Sequence, residues 1–120
     1  MEPKALADAQ IQLTLLGEAV ASADVGFLVW DEDRRYVAAN NSACEILGTT
    51  LEELLGQRVG GHTNDADPLI EEAVRKGYVT GTAFVDRFDG SGRIEVFYAT
   101  FTTKSAGMPF MATVIARVPD

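Results

Sequence analysis

The stretch Val25–Gly56, VGFLVWDEDRRYVAANNSACEILGTTLEELLG, decides the fold. Phe27 to Trp30 is an apolar run ended by Asp31, and Tyr36 to Ala39 is a second run ended by Asn40. The DEDRR segment between them is too polar to bury and short enough to close a hairpin. Asn41 and Ser42 then offer helix N-caps. Ser42 with Glu45 matches a capping box, and Gly48 fits the position just past a helix end. Thr50 with Glu53 repeats the signature, and Gly56 ends that second short helix.

Strand, charged turn, strand, Asn40, a short helix ending Leu47-Gly48, then a Thr50-x-x-Glu53 helix ending Leu54-Leu55-Gly56 resembles the opening half of a PAS domain. The resemblance runs from about Leu16 to Arg117. It implies an α+β fold: a five-stranded antiparallel sheet with short helices inserted between strands 2 and 3, preceded by an N-terminal amphipathic helix. It also implies a small sensory and dimerisation module of bacterial signalling proteins, not an enzyme. The expected setting is a two-component system, a histidine kinase or a cyclic-dinucleotide enzyme.

Composition agrees with one folded domain. The chain has 120 residues, 47% of them hydrophobic, and a net charge of −8, enough for a single core. The acidic balance and the lack of a Lys/Arg stripe argue against nucleic acid and against anionic membranes. No apolar run reaches the length of a membrane span, and MEPKALADAQ lacks a signal-peptide pattern. Cys44 is the single cysteine and can form no internal disulfide. These features together lead us to expect a cytoplasmic protein.

Residues 1–23 are expected as a leading helix and 24–120 as the domain proper. Leu6, Ala9, Leu13, Leu16, Val20 and Ala23 recur at spacings of three and four, with Ile11 and Leu15 as a second strip. Such a helix either packs both strips at home or meets a second chain. A homodimer through Leu6, Leu13, Leu16 and Val20, with Trp30 and Tyr98 as outward aromatic anchors, is the expectation. Core packing explains Trp30 and Tyr98 as well. Both faces of the first two strands carry apolar residues, so the leading helix or a twin should cover the second face.

Farther along, Asp67 is a plausible N-cap and Pro68 suits the first helical position of a longer helix. Glu71–Arg75 and Glu72–Lys76 pairs lie along it, and Gly77 closes it. Tyr78–Phe88, Arg93–Thr103 and Phe110–Val118 are strand-like. Asp89-Gly90-Ser91-Gly92 and Ser105–Pro109 supply the turns between them.

Catalysis finds little support. Cys44 lies among Ala43, Ile46 and Leu47 and reads as an inert thiol, and the carboxylates occupy capping or solvated positions. The resemblance implies a cavity between sheet and helices. The matching positions are Phe27, Val29, Asn40, Cys44, Leu47, Ile70, Val74, Phe84 and Phe97, which a packed core explains equally. No cofactor is the simplest expectation, with haem or a small apolar ligand as the alternatives. In the haem alternative, that of a gas or redox sensor, His62 is the ligand, although it stands in a Gly-rich loop before the long helix. The cysteine of the flavin-binding branch has no counterpart here. After Arg117 the chain reads Val118-Pro119-Asp120, without the family's usual lead into a signalling helix. Either the chain is a piece cut at a linker or output leaves through the leading helix; the first, with an effector domain in the same polypeptide, is the expectation.

Overall fold

In the computed structural model, residues 3–59, 66–105 and 107–119 are described. Two leading helices, α1 (Pro3–Leu6) and α2 (Ala9–Ser22), precede strands β1 (Gly26–Trp30) and β2 (Tyr36–Ala39). Helices α3 (Asn41–Leu47), α4 (Leu51–Leu54) and α5 (Ala66–Lys76) follow. Strands β3 (Tyr78–Asp86), β4 (Arg93–Ser105) and β5 (Met108–Arg117) complete the chain. The five strands form one antiparallel sheet in the order β2-β1-β5-β4-β3. β1 thus sits between its hairpin partner and the last strand, so both ends of the domain are stitched at its centre.

The local signals explain most element ends. Thr50 caps α4 by accepting from the Glu53 N–H at 3.3 Å. Gly48 stops α3 in the left-handed region at φ 70°, where an absent Cβ removes the strain. Glu72 and Lys76 pair at 2.9 Å on the exposed side of α5. Four expectations are corrected. The leading helix is broken at Asp8, whose carboxylate accepts from the Gln10 and Ile11 N–H groups and starts α2 afresh. Asn40, rather than Asn41 or Ser42, caps α3 by accepting from the Ala43 N–H. Helix α5 begins at Ala66, ahead of the expected Asp67 cap. The β4–β5 hairpin is tighter than expected, with Ser105 opposite Met108 and Lys104 opposite Pro109.

Register fixes which side chains face the helices. Leu28 and Trp30 of β1, Val85 of β3, Val96 and Thr100 of β4, and Met111 and Ile115 of β5 are buried on the inner face. They pack with Ala43, Ile46 and Leu47 of α3, Leu54 of α4, and Ile70 and Ala73 of α5. The outer face carries Phe27, Val29, Phe84, Phe97 and Phe101. Its expected cover is incomplete within one chain. Gly17, Val20 and Ala21 of α2 face Phe27, Val29 and Ala38 across a groove, yet Phe84 and Phe97 remain 52% and 49% exposed.

Candidate functional site

A cavity of about 100 Å³ lies between the inner sheet face and the helices. Its floor is Leu28, Trp30, Tyr36, Val96, Tyr98, Thr100, Thr113 and Ile115, with Val79, Ala83 and Val85 from β3. Leu47, Val59, Ile70 and Ala73 form the roof. Alternation along the strands places these residues together, because every second side chain points to one face. A glycine at position 26 allows the approach of α3. A Cβ there would stand 2.7 Å from Ile115 Cγ1 and 2.8 Å from Ala43 Cα.

One polar chain crosses the floor. The Trp30 indole N–H donates to Thr113 Oγ1 at 3.0 Å, and Thr113 and Thr100 share a hydrogen bond of 2.9 Å. Burial pushes the Tyr36 phenol up to about 12, since the apolar surroundings disfavour its anion. The Tyr98 phenol is also raised, by burial and by the Glu72 carboxylate. Among the described residues, the lining contains no Lys, Arg, Asp, Glu or His, so the cavity suits an uncharged occupant.

Helix α3 connects this cavity to the leading helix. Leu47 is a roof residue at one end of α3. At the other end, Asn40 Nδ2 donates to the carbonyls of Val20 and Val25, and its Oδ1 accepts from the Phe27 and Ala43 N–H groups. The Ser42 hydroxyl donates to the Ala23 carbonyl. These donors hold the end of α2 and the segment that leads into β1, the Val20 carbonyl also accepting from the Ala23 N–H. The far end of α3 is held by the β3–β4 turn: Arg87 donates to the Glu45 carbonyl at 2.9 Å, and the Phe88 N–H to that of Leu47 at 2.9 Å.

The expected pocket residues therefore divide. Leu47 and Ile70 line the cavity. Cys44 is buried in the adjoining core beside Leu28 and Leu47, with its thiol pushed up by burial. Asn40 is a buried cap and not a lining group. Phe27, Val29, Phe84 and Phe97 do not face the cavity; register turns them to the opposite side of the sheet. Val74 is 53% exposed and borders a separate groove with Arg34 and Phe110. Trp30 is corrected as a dimer anchor, because it is buried at 2% exposure on the inner face. Tyr98 likewise lines the cavity.

Of the helix positions, Leu13 and Leu16 are 68% and 61% exposed, while Leu6 and Val20 are partly buried. His62 lies outside the described residues. Most of the lining was missed, including every polar-tipped member: Trp30, Tyr36, Tyr98, Thr100 and Thr113. Gly26 carried the usable signal, since a strand glycine marks close backbone approach and sets the phase for Leu28 and Trp30.

Comparison with known proteins agrees with this arrangement. The family model for the PAS fold matches residues 20–116, and the chain belongs to that family. It is similar to the PAS domain of an HTR-like protein from Haloarcula marismortui, with TM-score 0.75 and 17% identity over 91% of this chain and 93% of that one. A PAS domain from a two-component sensor histidine kinase gives TM-score 0.76 and 12% identity, covering 92% of this chain and all (100%) of the other. A domain of a sensory box sensor histidine kinase/response regulator from Geobacter sulfurreducens gives 0.77 and 15%, covering 92% and 97%. None of the curated proteins matches the chain. Among the described residues, no helix is long and apolar enough to cross a membrane.

Proposed function

We propose that the chain is the sensory and dimerising module of a cytoplasmic signal-transduction polypeptide, with residues 1–23 as coupling helix and 24–120 as sensor. Its effector would be a domain of the same polypeptide, as in the histidine kinases whose PAS domains it is similar to. The observation that carries this reading is the bonding of α3. One helix both roofs the inner cavity through Leu47 and holds the C-terminal end of α2, bonding the Val20 carbonyl through Asn40 and the carbonyl of the capping Ala23 through Ser42. A change in cavity occupancy that shifts α3 therefore acts on α2.

The open surfaces support a second copy as the other partner. Leu13, Leu15 and Leu16 on α2 and Phe84, Phe97 and Phe101 on the sheet are each exposed, and exposed large apolar side chains in such number favour association. Size-exclusion chromatography with light scattering on the full chain should give twice the chain mass. Leu13→Glu with Leu16→Glu should return the mass of one chain with little change in melting temperature. A single-chain mass for the unaltered protein ends the dimer reading.

A further inference from the structure

The hydrogen-bonding groups of the cavity specify what it takes, an inference that rests on reading that cavity as the sensing site. Trp30, Thr113 and Thr100 hold three donor hydrogens, since an indole N–H only donates and each hydroxyl carries one hydrogen. Two are used: the indole N–H on Thr113, and one hydroxyl on the other. If Thr113 donates to Thr100, the Thr100 hydrogen is left over. If Thr100 donates, the Thr113 hydrogen is left over. Either way one donor in a largely buried site meets no acceptor among the described residues, and Thr100 is only 7% exposed. A buried hydrogen without an acceptor is the costlier defect, because a spare oxygen lone pair is tolerated more readily.

Size and polarity narrow the rest. An apolar cavity of about 150 Å³ admits benzene, so about 100 Å³ holds four to five non-hydrogen atoms, as an order of magnitude. The remaining lining is aliphatic or aromatic apart from the two phenols of Tyr36 and Tyr98, which are donors as well. We propose that the cavity binds a compact, uncharged molecule carrying a hydrogen-bond acceptor, of the size and chemistry of a small ketone, with that acceptor on the Thr100–Thr113 pair.

The test compares two molecules of one shape, cyclobutanone and methylenecyclobutane, which differ by an acceptor oxygen against a CH₂. Trp30 is the single tryptophan, so its indole N–H resonance reports binding to the full chain by NMR. The ketone should bind about tenfold more tightly, the ratio one neutral hydrogen bond supplies. The triple variant Trp30→Phe, Thr100→Val, Thr113→Val removes all three donors; the valines keep the threonine shapes, and the smaller phenyl ring enlarges the cavity equally for both molecules, so the ratio between them remains the readout. Followed by ligand-observed NMR, it should bind the two molecules to within about twofold of each other. Equal binding to the unaltered protein overturns the ligand class, and a preference that survives in the triple variant overturns the placement of the acceptor on the Thr100–Thr113 pair in favour of the Tyr36 or Tyr98 phenol; either result leaves the cavity as a binding site. If neither molecule moves the indole or the Leu28 and Ile115 methyl resonances, the sensing-site reading falls and this inference with it. Should the triple variant fail to fold, the ratio in the unaltered protein decides.

Discussion

Asn40 Nδ2 donates to the main-chain carbonyl of Val20 at 2.7 Å, tying the first turn of α3 to the last turn of α2. The same amide donates to Val25 and accepts from Phe27 and Ala43, so all its bonding positions are filled by the start of the domain. Asn40→Ala removes an N-cap and leaves buried main-chain groups without partners, at a cost of about 3 kcal/mol. For a domain of this size that is a fall in melting temperature of about 10 °C. Asn40→Asp keeps the acceptor for Ala43 but turns a carboxylate toward two carbonyls. Hydrogen exchange should then quicken in the C-terminal turn of α2 more than in β4. Uniform acceleration across both elements would mean that Asn40 stabilises the fold without coupling the helix.

The helix ends at Gly48, Thr50 and Gly77 and the strand hairpins were legible because each depends on local chemistry or on turn residues, whereas the β1–β5 pairing that sets the strand order is long-range and was not read. Thr50, Gly48 and Gly77 mark helix ends whatever the tertiary context. The inward face of the sheet was not legible from alternation, because Phe27 and Val29 are as apolar as Leu28 and Trp30. A period of two gives pairs but no phase when both faces are greasy. That ambiguity put Phe84 and Phe97 in the cavity and Trp30 outside it. Asp8 was missed for a different reason: a capping carboxylate inside an otherwise helix-prone run leaves the apolar spacing intact. The Thr100–Thr113 pair joins neighbouring strands, and nothing in either strand's own sequence points to its partner.

Arg34 adopts a left-handed backbone, with φ 63°, within the turn that Asp31 pins by accepting from the Asp33 and Arg35 N–H groups. A side chain in that region costs about 1–2 kcal/mol, and glycine loses about 0.5–1 kcal/mol of chain entropy in exchange. Arg34→Gly should therefore stabilise the protein by roughly 0.5–1 kcal/mol. The check is a urea titration, where the midpoint should rise at unchanged slope. A lower midpoint would show that the Arg34 side chain contributes more than its backbone costs.

Tyr36 makes stability fall in alkali. Burial raises its phenol from 10.0 to about 12, so the folded state keeps a proton that the unfolded chain releases. The contribution is complete below pH 10 and is lost as pH rises toward 12, a change of about 2–3 kcal/mol. Cys44 and Tyr98 are raised in the same direction and add to the slope. Denaturant titrations of the unaltered protein and Tyr36→Phe from pH 8 to pH 12 separate the parts. The stability difference between the two proteins should shift by that amount across the upper two pH units. A difference independent of pH would show that the phenol is solvated in the folded state.

At Gly26 the main chain of β1 lies tight against both β5 and α3. A Cβ at this position would meet Ile115 Cγ1 at 2.7 Å, Ala43 Cα at 2.8 Å and Ala43 Cβ at 3.1 Å. The first clash yields if the Ile115 side chain turns, but the second is with backbone and is relieved only if α3 moves. Overpacking of this kind costs about 1–3 kcal/mol, and Gly26→Ala should lie toward the upper end. Its consequences should also be directional. Pushing α3 outward lifts Leu47 from the cavity roof and loads the Asn40 and Ser42 bonds to α2. NMR amide shifts in Gly26→Ala should thus concentrate in α3 and in Val20 to Ala23, leaving β3 near its original positions. Ala43→Gly in the same chain takes away the methyl group of residue 43 but leaves its main chain where it was, so it should restore only part of the stability. Full restoration would show that side-chain crowding, rather than the backbone approach of α3, is what excludes a methyl group from residue 26.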